Sequence, residues 1–203
     1  MEAFKTISGI AAPMLAANID TDIIMPKQFL KGIDRQGLDK GLFYDLRFNA
    51  DGSEKTDFIL NSAEWKGARF LITGPNFGCG SSREHAVWGM KQLGIRALIG
   101  RSFAGIFNDN CLRNGVLTLC LADEDLKYLS AQISDPETNH ISVDLENQVI
   151  VTKNRTFSFD IDDLKKEMLV KGLDAIGLTL SFKNEIIQFE EAYFSANPWQ
   201  KIS

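Results

Sequence analysis

The middle of the chain alternates short apolar runs with amphipathic stretches. Residues 69–73 and 95–99 are apolar runs, and residues 83–93 between them place Ala86, Met90 and Leu93 on one helical face. Short strands without polar alternation are typical of a parallel sheet that is covered on both faces. The pattern therefore predicts a strand, a glycine-rich loop, a helix and a second parallel strand, with a right-handed connection.

The rest of the pattern extends this unit into one α/β domain. Upstream, residues 7–43 are broken by glycine and proline, which predicts brief strands and loops with one short helix near 26–31. We expect a core over about residues 1–160 and a helical extension over about 161–203. We expect its segment Phe182 to Trp199 to cover the sheet, with an interface helix as the alternative. The further predicted helices are 103–112, 123–133, 164–171, 173–179 and 182–193, and the further strands are 116–119, 141–145, 149–152 and 156–160.

Charge and hydropathy narrow the functional classes. The chain has 22 Lys and Arg against 27 Asp and Glu, a formal net charge of −5, so it lacks the basic footprint of a nucleic-acid-binding protein. No apolar run approaches the roughly 18–20 residues of a membrane span, and the first residues lack the layout of a signal peptide. We expect a cytoplasmic protein without nucleic-acid or membrane partners.

Few side chains are suited to hold a metal ion. Cys79, Cys111 and Cys120 form neither a disulfide framework nor the close pairs of a zinc site, and are expected to be small buried or half-buried thiols. The only histidines are His85 and His140. We therefore predict no metal site built from this chain alone.

The segment from Gly74 to Ala86 carries the clearest chemical signal. Its glycine-rich turn follows a predicted strand and leads into a helix, an arrangement that presents backbone N–H groups to an anion at the carboxyl end of a parallel sheet. Ser81 and Glu84 also have the spacing of a capping box, a purely structural alternative. The expected ligand carries carboxylate or phosphate groups.

Two side chains in this segment favour carboxylate chemistry over capping alone. Arg83 has a planar guanidinium suited to bidentate carboxylate binding. Ser81 acts as a general base only if its alkoxide is stabilised, and the helix N-terminus with the neighbouring guanidinium supplies that stabilisation. The segment lacks the G-x-S-x-G pattern of a hydrolase and the lysine of a P-loop. His85 is expected to be a buried, hydrogen-bonded structural residue.

Three stretches together resemble one known family. Gly78 to Ala86 reads GCGSSREHA and is similar to the G-x-G-S-S-R-E-H-A signature of the aconitase superfamily's swivelling domain, and Ser102 to Ile106 resembles its S-F-A-x-I segment. Residues 18–30 are similar to the D-T-D-x-I-I-P stretch of the stand-alone small subunits of 3-isopropylmalate dehydratase, from which Met25 departs. The resemblance covers nearly the whole chain and implies an α/β fold of the swivelling β/β/α type.

The resemblance also implies an activity and a partner. The implied enzyme is a hydro-lyase that isomerises 2-isopropylmalate to 3-isopropylmalate through 2-isopropylmaleate, in leucine biosynthesis, and it is active only with a large subunit that carries a [4Fe-4S] cluster. Ser81 then moves the carbon-bound proton, Arg83 binds a carboxylate of the hydroxy-dicarboxylate substrate, and Ser82 supports it. The cofactor is expected in the partner, and none in this chain.

The segment from Pro26 to Lys31 is the candidate for recognising the variable part of the substrate. Phe29 and Leu30 offer apolar contact to an isopropyl group, and Lys31 a cation for a carboxylate, with core packing as the alternative for the two apolar residues. Asp20 and Asp22 are interpreted as turn-forming carboxylates rather than ligands. Two other functions stay open: the small subunit of a related hydro-lyase of the homoaconitase or citraconate/methylmalate type, and a carboxylate-binding module without catalysis.

Overall fold

A computed structural model describes residues 1–32 and 35–200; the last three residues of the predicted C-terminal extension lie outside this part. Its seven strands form one mixed sheet in the order β4-β3-β2-β1-β5-β6-β7. The strands are β1 Thr6–Met14, β2 Phe70–Thr73, β3 Ala97–Gly100, β4 Leu117–Cys120, β5 His140–Asp144, β6 Val149–Val151 and β7 Thr156–Ser158. The helices are α1 Thr21–Ile24, α2 Tyr44–Arg47, α3 Glu84–Leu93, α4 Gly105–Asn114, α5 Asp123–Ile133, α6 Asp163–Lys171, α7 Ala175–Ser181 and α8 Lys183–Ala196, and short 3₁₀ turns occupy Lys27–Leu30, Leu38–Lys40, Ile59–Asn61 and Pro198–Gln200.

Strand β1 joins a parallel half of the sheet to an antiparallel half. It pairs in parallel with β2 through residues 11–14 and antiparallel with β5 through residues 6–10. This nine-residue strand replaces the brief strands predicted for its segment. Pro13 is tolerated because the pairing with β5 has ended before it, so its missing N–H costs no ladder hydrogen bond.

The parallel half is buried on both faces, as its apolar strands predict. Alternate residues of β2 point into different cores: Leu71 packs with the α3 and α4 side, whereas Phe70 and Ile72 pack with the α5 and α6 side. Side chains on consecutive strand residues point to opposite faces of the sheet. When both faces are buried, every residue of the strand must therefore be apolar. This two-sided burial leaves only the strand ends for a ligand.

The segment Phe182 to Trp199 does not cover the sheet, contrary to the prediction. Neither α7 nor α8 has a buried residue, and Phe189 and Trp199 are 67% and 76% exposed. Helix α6 does pack on the core through Leu169. The apolar residues of the extension beyond α6 are therefore directed largely to solvent. The prediction that they cover the sheet rested only on their apolar character. No helix in the described ranges has the length and apolarity to cross a lipid bilayer.

Candidate functional site

Three loops meet at the carboxyl ends of β1, β2 and β3. The Gly78 N–H donates to the carbonyl of Ile19 at 2.8 Å, and the Thr21 N–H donates to the carbonyl of Cys79, also at 2.8 Å. On the other side, the Ala104 N–H donates to the carbonyl of Phe77 at 3.0 Å. The glycine-rich loop after β2 is thus held between the other two loops by backbone hydrogen bonds.

The floor of this loop requires a glycine. Gly78 has φ +77°, and a Cβ there would lie 2.2 Å from Cγ of Phe107. The Phe107 ring also meets the Phe77 ring edge to face, with centroids 5.7 Å apart. The backbone of the loop therefore lies directly on an aromatic side chain of α4, which fixes the loop relative to that helix.

A cavity of about 130 Å³ lies between the start of α3 and the start of α4. Neither helix has a side chain capping its N-terminus. The first N–H groups of a helix have no partner within it and carry a partial positive charge. The cavity is therefore suited to an anion. Its lining residues are Thr21, Gly78, Gly80, Ser81, Ser82, Arg83, Ala104, Gly105, Ile106, Phe107 and Asn110.

Ser81 lies on the wall of this cavity and does not cap α3. The N-cap of α3 is Arg83, and Glu84 accepts a hydrogen bond from Asn114 at 2.7 Å, so the structural alternative of a capping box is wrong. The Ser81 carbonyl accepts a hydrogen bond from Thr21 Oγ1 at 2.8 Å, which anchors the backbone. Ser81 and Ser82 are both exposed, and within the described residues neither hydroxyl has a hydrogen-bond partner. Both are thus available to a ligand.

Arg83 is the buried cation of the site. It is 8% exposed, its Nη2 lies 2.7 Å from Asp22 Oδ1, and its Nη1 donates to the carbonyl of Met25 at 3.2 Å. A guanidinium has five N–H donors, so these two contacts leave others for a ligand. The ion pair couples the start of α3 to the segment that contains α1.

The two aspartates of the 18–30 stretch, Asp20 and Asp22, have different roles. Asp20 caps α1 by accepting a hydrogen bond from the Ile23 N–H at 2.8 Å, which confirms the turn-forming interpretation. Asp22 instead pairs with Arg83 and lies 4.0 Å from Lys27 Nζ. The turn-forming interpretation is therefore wrong for Asp22, because only the fold brings it close to the distant Arg83.

His85 and one cysteine differ from their predicted environments. The His85 ring is half-buried and packs on Trp88, with centroids 4.7 Å apart, and it has no hydrogen-bond partner in the described chain, so the buried, hydrogen-bonded histidine was a wrong prediction. Cys111 is buried and Cys79 is half-buried, as expected, but Cys120 is exposed at the end of β4. Burial raises the pKa of the Cys111 thiol strongly.

The residues proposed to recognise the variable part of the substrate do not line the cavity. Phe29 and Leu30 are half-buried and pack against the core cluster beside α3, and the Phe29 ring lies 5.0 Å from the Tyr44 ring. Lys31 is exposed. Their segment directly follows α1 and the fully buried Met25. Because Asp22 of α1 pairs with Arg83, the segment is connected to the site through this ion pair.

Thr21 and Asn110 line the cavity but were not predicted as site residues. Thr21 is 1% exposed and lies between Asp20 and Asp22 in the 18–30 stretch. Asn110 lies on α4, three residues after Phe107. Its helical spacing from the segment 102–106 is the one signal in the sequence that pointed to it. In the part of the chain that the structure describes, no group of three or more His, Cys, Asp or Glu side chains is arranged to hold a metal ion.

Comparison with known proteins agrees with this geometry. The Aconitase C-terminal domain family matches residues 1–124, and LeuD_N matches residues 128–163. The chain is 66% identical to 3-isopropylmalate dehydratase small subunit 1 of Mannheimia succiniciproducens, over 100% of both chains. It is 59% identical to small subunit 2 of the Salmonella typhimurium enzyme, over 99% of this chain and 97% of that one.

A solved structure shows the same fold. The crystal structure of 3-isopropylmalate dehydratase (leuD) from Methanocaldococcus jannaschii has a TM-score of 0.64 and 28% identity, and covers 92% of this chain and 99% of that one. This confirms the α/β fold of the aconitase type that the motifs implied. The site motifs, the fold and the full-length similarity together show that this chain belongs to the aconitase superfamily, in the family of 3-isopropylmalate dehydratase small subunits.

Proposed function

We propose that this chain is the small subunit of a two-chain hydro-lyase that interconverts 2-isopropylmalate and 3-isopropylmalate through 2-isopropylmaleate, in leucine biosynthesis. The names of the relatives support the reaction and the existence of a large subunit. The observation that carries the proposal is the cavity between two uncapped helix N-termini, with a free serine hydroxyl and a buried arginine on its wall. A dicarboxylate is the ligand that this charge distribution favours.

Ser81 is the residue that removes and returns the carbon-bound proton of the substrate. A serine hydroxyl is a very weak acid, so its alkoxide needs fixed positive charge nearby. Ser81 precedes the start of α3 by three residues and shares the cavity with the first residues of α4. Because Thr21 anchors the Ser81 carbonyl, this stabilisation is in place before the substrate binds.

Arg83 and Ser82 bind and orient the substrate. The Asp22 and Met25 contacts fix the plane of the Arg83 guanidinium, and its remaining N–H groups donate to a substrate carboxylate. The exposed Ser82 hydroxyl adds a hydrogen bond beside it. Oriented in this way, the carbon next to the carboxylate presents its proton to Ser81.

The segment after Met25 recognises the variable side chain of the substrate. Phe29 and Leu30 keep half-exposed apolar surface next to the α1 segment, and Lys31 offers an exposed cation. Each methylene of apolar contact discriminates by only about 1–3 kcal/mol, so we expect substrates with a smaller apolar group to be processed more slowly rather than rejected.

The [4Fe-4S] cluster that the family implies does not fit the residues of this chain. Cys79, Cys111 and Cys120 lie in a site loop, a core and an exposed strand end, so they do not converge on one point. Iron–sulfur clusters need cysteine thiolates grouped around them. We therefore place the cluster in the large subunit and assign to this chain the substrate-binding and proton-transfer groups.

The direct test is hydration of 2-isopropylmaleate by this chain mixed anaerobically with a reconstituted iron–sulfur large subunit. We expect activity only when both chains are present. Ser81→Ala should lower kcat by about 10²–10⁴-fold, the range for loss of a general base. The matched control is Ser82→Ala, which removes the neighbouring hydroxyl and should cost about tenfold, as one hydrogen bond does.

Two results would contradict the proposal. Full activity of Ser81→Ala would exclude that serine as the base. A wild-type complex that assembles but does not hydrate 2-isopropylmaleate would show that the enzyme acts on a different hydroxy acid. Circular dichroism of each variant separates a loss of chemistry from a loss of folding.

A further inference from the structure

Asn110 is a buried side chain of the cavity that the proposed mechanism does not use. It is 7% exposed, and within the described residues its side-chain amide makes no hydrogen bond. The amide atoms are not among the fully enclosed polar atoms that lack a partner, so they open into the cavity that Asn110 lines. Because the amides of largely buried residues usually have a hydrogen-bond partner, an amide that opens into this cavity is a candidate to bind the ligand there.

The other asparagines of α4 are engaged. Asn114 donates to Glu84 Oε1 at 2.7 Å and to the backbone carbonyl of Asn110 at 2.9 Å. Asn108 accepts from the Thr118 hydroxyl and lines a different cavity. Asn110 thus differs from two residues of the same type on the same helix, because of the three it is the one that lines the cavity with Ser81 and Arg83.

The position of Asn110 on α4 aims its amide at the same ligand as Ser81 and Arg83. Side chains on a helix lean toward its N-terminus, and the N-terminus of α4 is the part that borders the cavity. The two serines and Arg83 form another part of the same cavity wall. A carboxylate bound in this space therefore faces the amide, the guanidinium and the free N–H groups of α4.

We propose that Asn110 is a substrate-binding residue, whose Nδ2 donates a hydrogen bond to a carboxylate oxygen of the substrate. This inference rests on the proposed function and extends it. A neutral amide suits the position, because it adds a donor for the carboxylate without placing another charge beside Arg83. The proposed hydrogen bond also gives the amide a partner when the ligand is bound.

The test uses the complex with the large subunit and isopropylsuccinate, which keeps both carboxylates but lacks the hydroxyl group that is eliminated. Its inhibition constant is measured against 2-isopropylmaleate hydration, and its dissociation constant by calorimetry. Asn110→Ala should weaken binding by about 10–100-fold, as expected for a hydrogen bond to a charged group. Asn110→Asp, with nearly the same size, should weaken it further because it opposes the carboxylate.

Asn108→Ala is the matched control, since it removes the same amide from the same helix outside this cavity, and binding should not change. Unchanged binding of isopropylsuccinate by both Asn110 variants, in an active complex, overturns this inference alone. A wild-type complex that neither turns over 2-isopropylmaleate nor binds the analogue overturns the proposed function, and the role of Asn110 with it. Asn110→Asp keeps the test valid if Asn110→Ala does not fold.

Discussion

Replacing Gly78 with alanine tests whether the floor of the site is as tightly built as the structure indicates. The added Cβ would lie 2.2 Å from Cγ and 2.3 Å from Cδ1 of Phe107, far inside van der Waals contact. The backbone at Gly78 also has φ +77°, a conformation that alanine adopts only with strain. The variant therefore meets two separate penalties.

The two penalties can be estimated separately. Left-handed backbone costs a residue with a Cβ about 1–2 kcal/mol, and overpacking of a close-packed region costs about 1–3 kcal/mol. Gly78→Ala should therefore lower the free energy of unfolding by about 2–5 kcal/mol, if the two effects add. The movement of Phe107 should also displace the start of α4, so that kcat/KM falls in the complex.

The assay is urea unfolding of the isolated chain, and Gly94→Ala is its control. Gly94 has φ +103° but nothing within 4 Å of its added Cβ, so it reports the backbone strain alone. We expect Gly78→Ala to lose about 1–3 kcal/mol more than Gly94→Ala, which is the overpacking contribution. Adding Phe107→Leu to Gly78→Ala should recover part of this difference, as coupling between contacting residues predicts.

Two results would refute this reasoning. Equal destabilisation by the two glycine variants would show that Phe107 moves aside without cost. A Gly78→Ala/Phe107→Leu double variant whose loss equals the sum of the single losses would show that the two side chains do not interact. Either result would remove the argument that the loop is fixed on α4.

Three further predictions concern charge and thiols. Arg83→Lys keeps the charge but not the planar donor set, so kcat/KM of the complex should fall about 10–100-fold, and an active lysine variant would contradict the role of the guanidinium. Iodoacetamide at neutral pH should label Cys120 and not Cys111, because burial raises the pKa of both thiols but Cys120 is exposed and Cys111 is buried; labelling of both in the native chain, read by mass spectrometry, would contradict the buried position. The bond to Arg96 holds the pKa of Glu2 below 4.5, so its stabilisation is present above that pH and is lost as the pH falls through the lower folded value. The unfolding midpoints of wild type and Glu2→Gln should converge on acidification, and a constant gap would exclude the ion pair.

Local patterns predicted the parallel half of the fold well. The strand, glycine loop, helix and strand around residues 69–99 all formed, because two-sided burial makes such strands continuously apolar. The long strand β1 was not predicted, since its partners β2 and β5 are distant in sequence and only they make Gly9 and Pro13 acceptable there. The exposed apolar residues of α7 and α8 were misread because sequence does not show what a helix packs against.

The candidate site was predictable only where its residues are adjacent in sequence. Ser81, Ser82 and Arg83 share one loop, and the structure places all three on one cavity wall. The capping box failed because α3 begins at Glu84, too late for Ser81 to be its N-cap. Asn110 was not predicted, because a polar residue in a helix usually faces solvent and only the packing of α4 beside that loop places it in the cavity.

The Asp22–Arg83 ion pair joins the two motifs into one functional unit. Arg83 is buried, and an unpaired buried charge is strongly disfavoured, so the carboxylate 2.7 Å away is a condition for keeping the guanidinium in the site. Asp22 lies on α1, and the chain then runs through Met25, which also contacts Arg83, into the segment with Phe29. Any shift of that segment is therefore transmitted to the guanidinium. If Arg83 and the segment with Phe29 bind the substrate as proposed, recognition of the carboxylate and of the apolar side chain is coupled through the contacts of Arg83 with Asp22 and Met25.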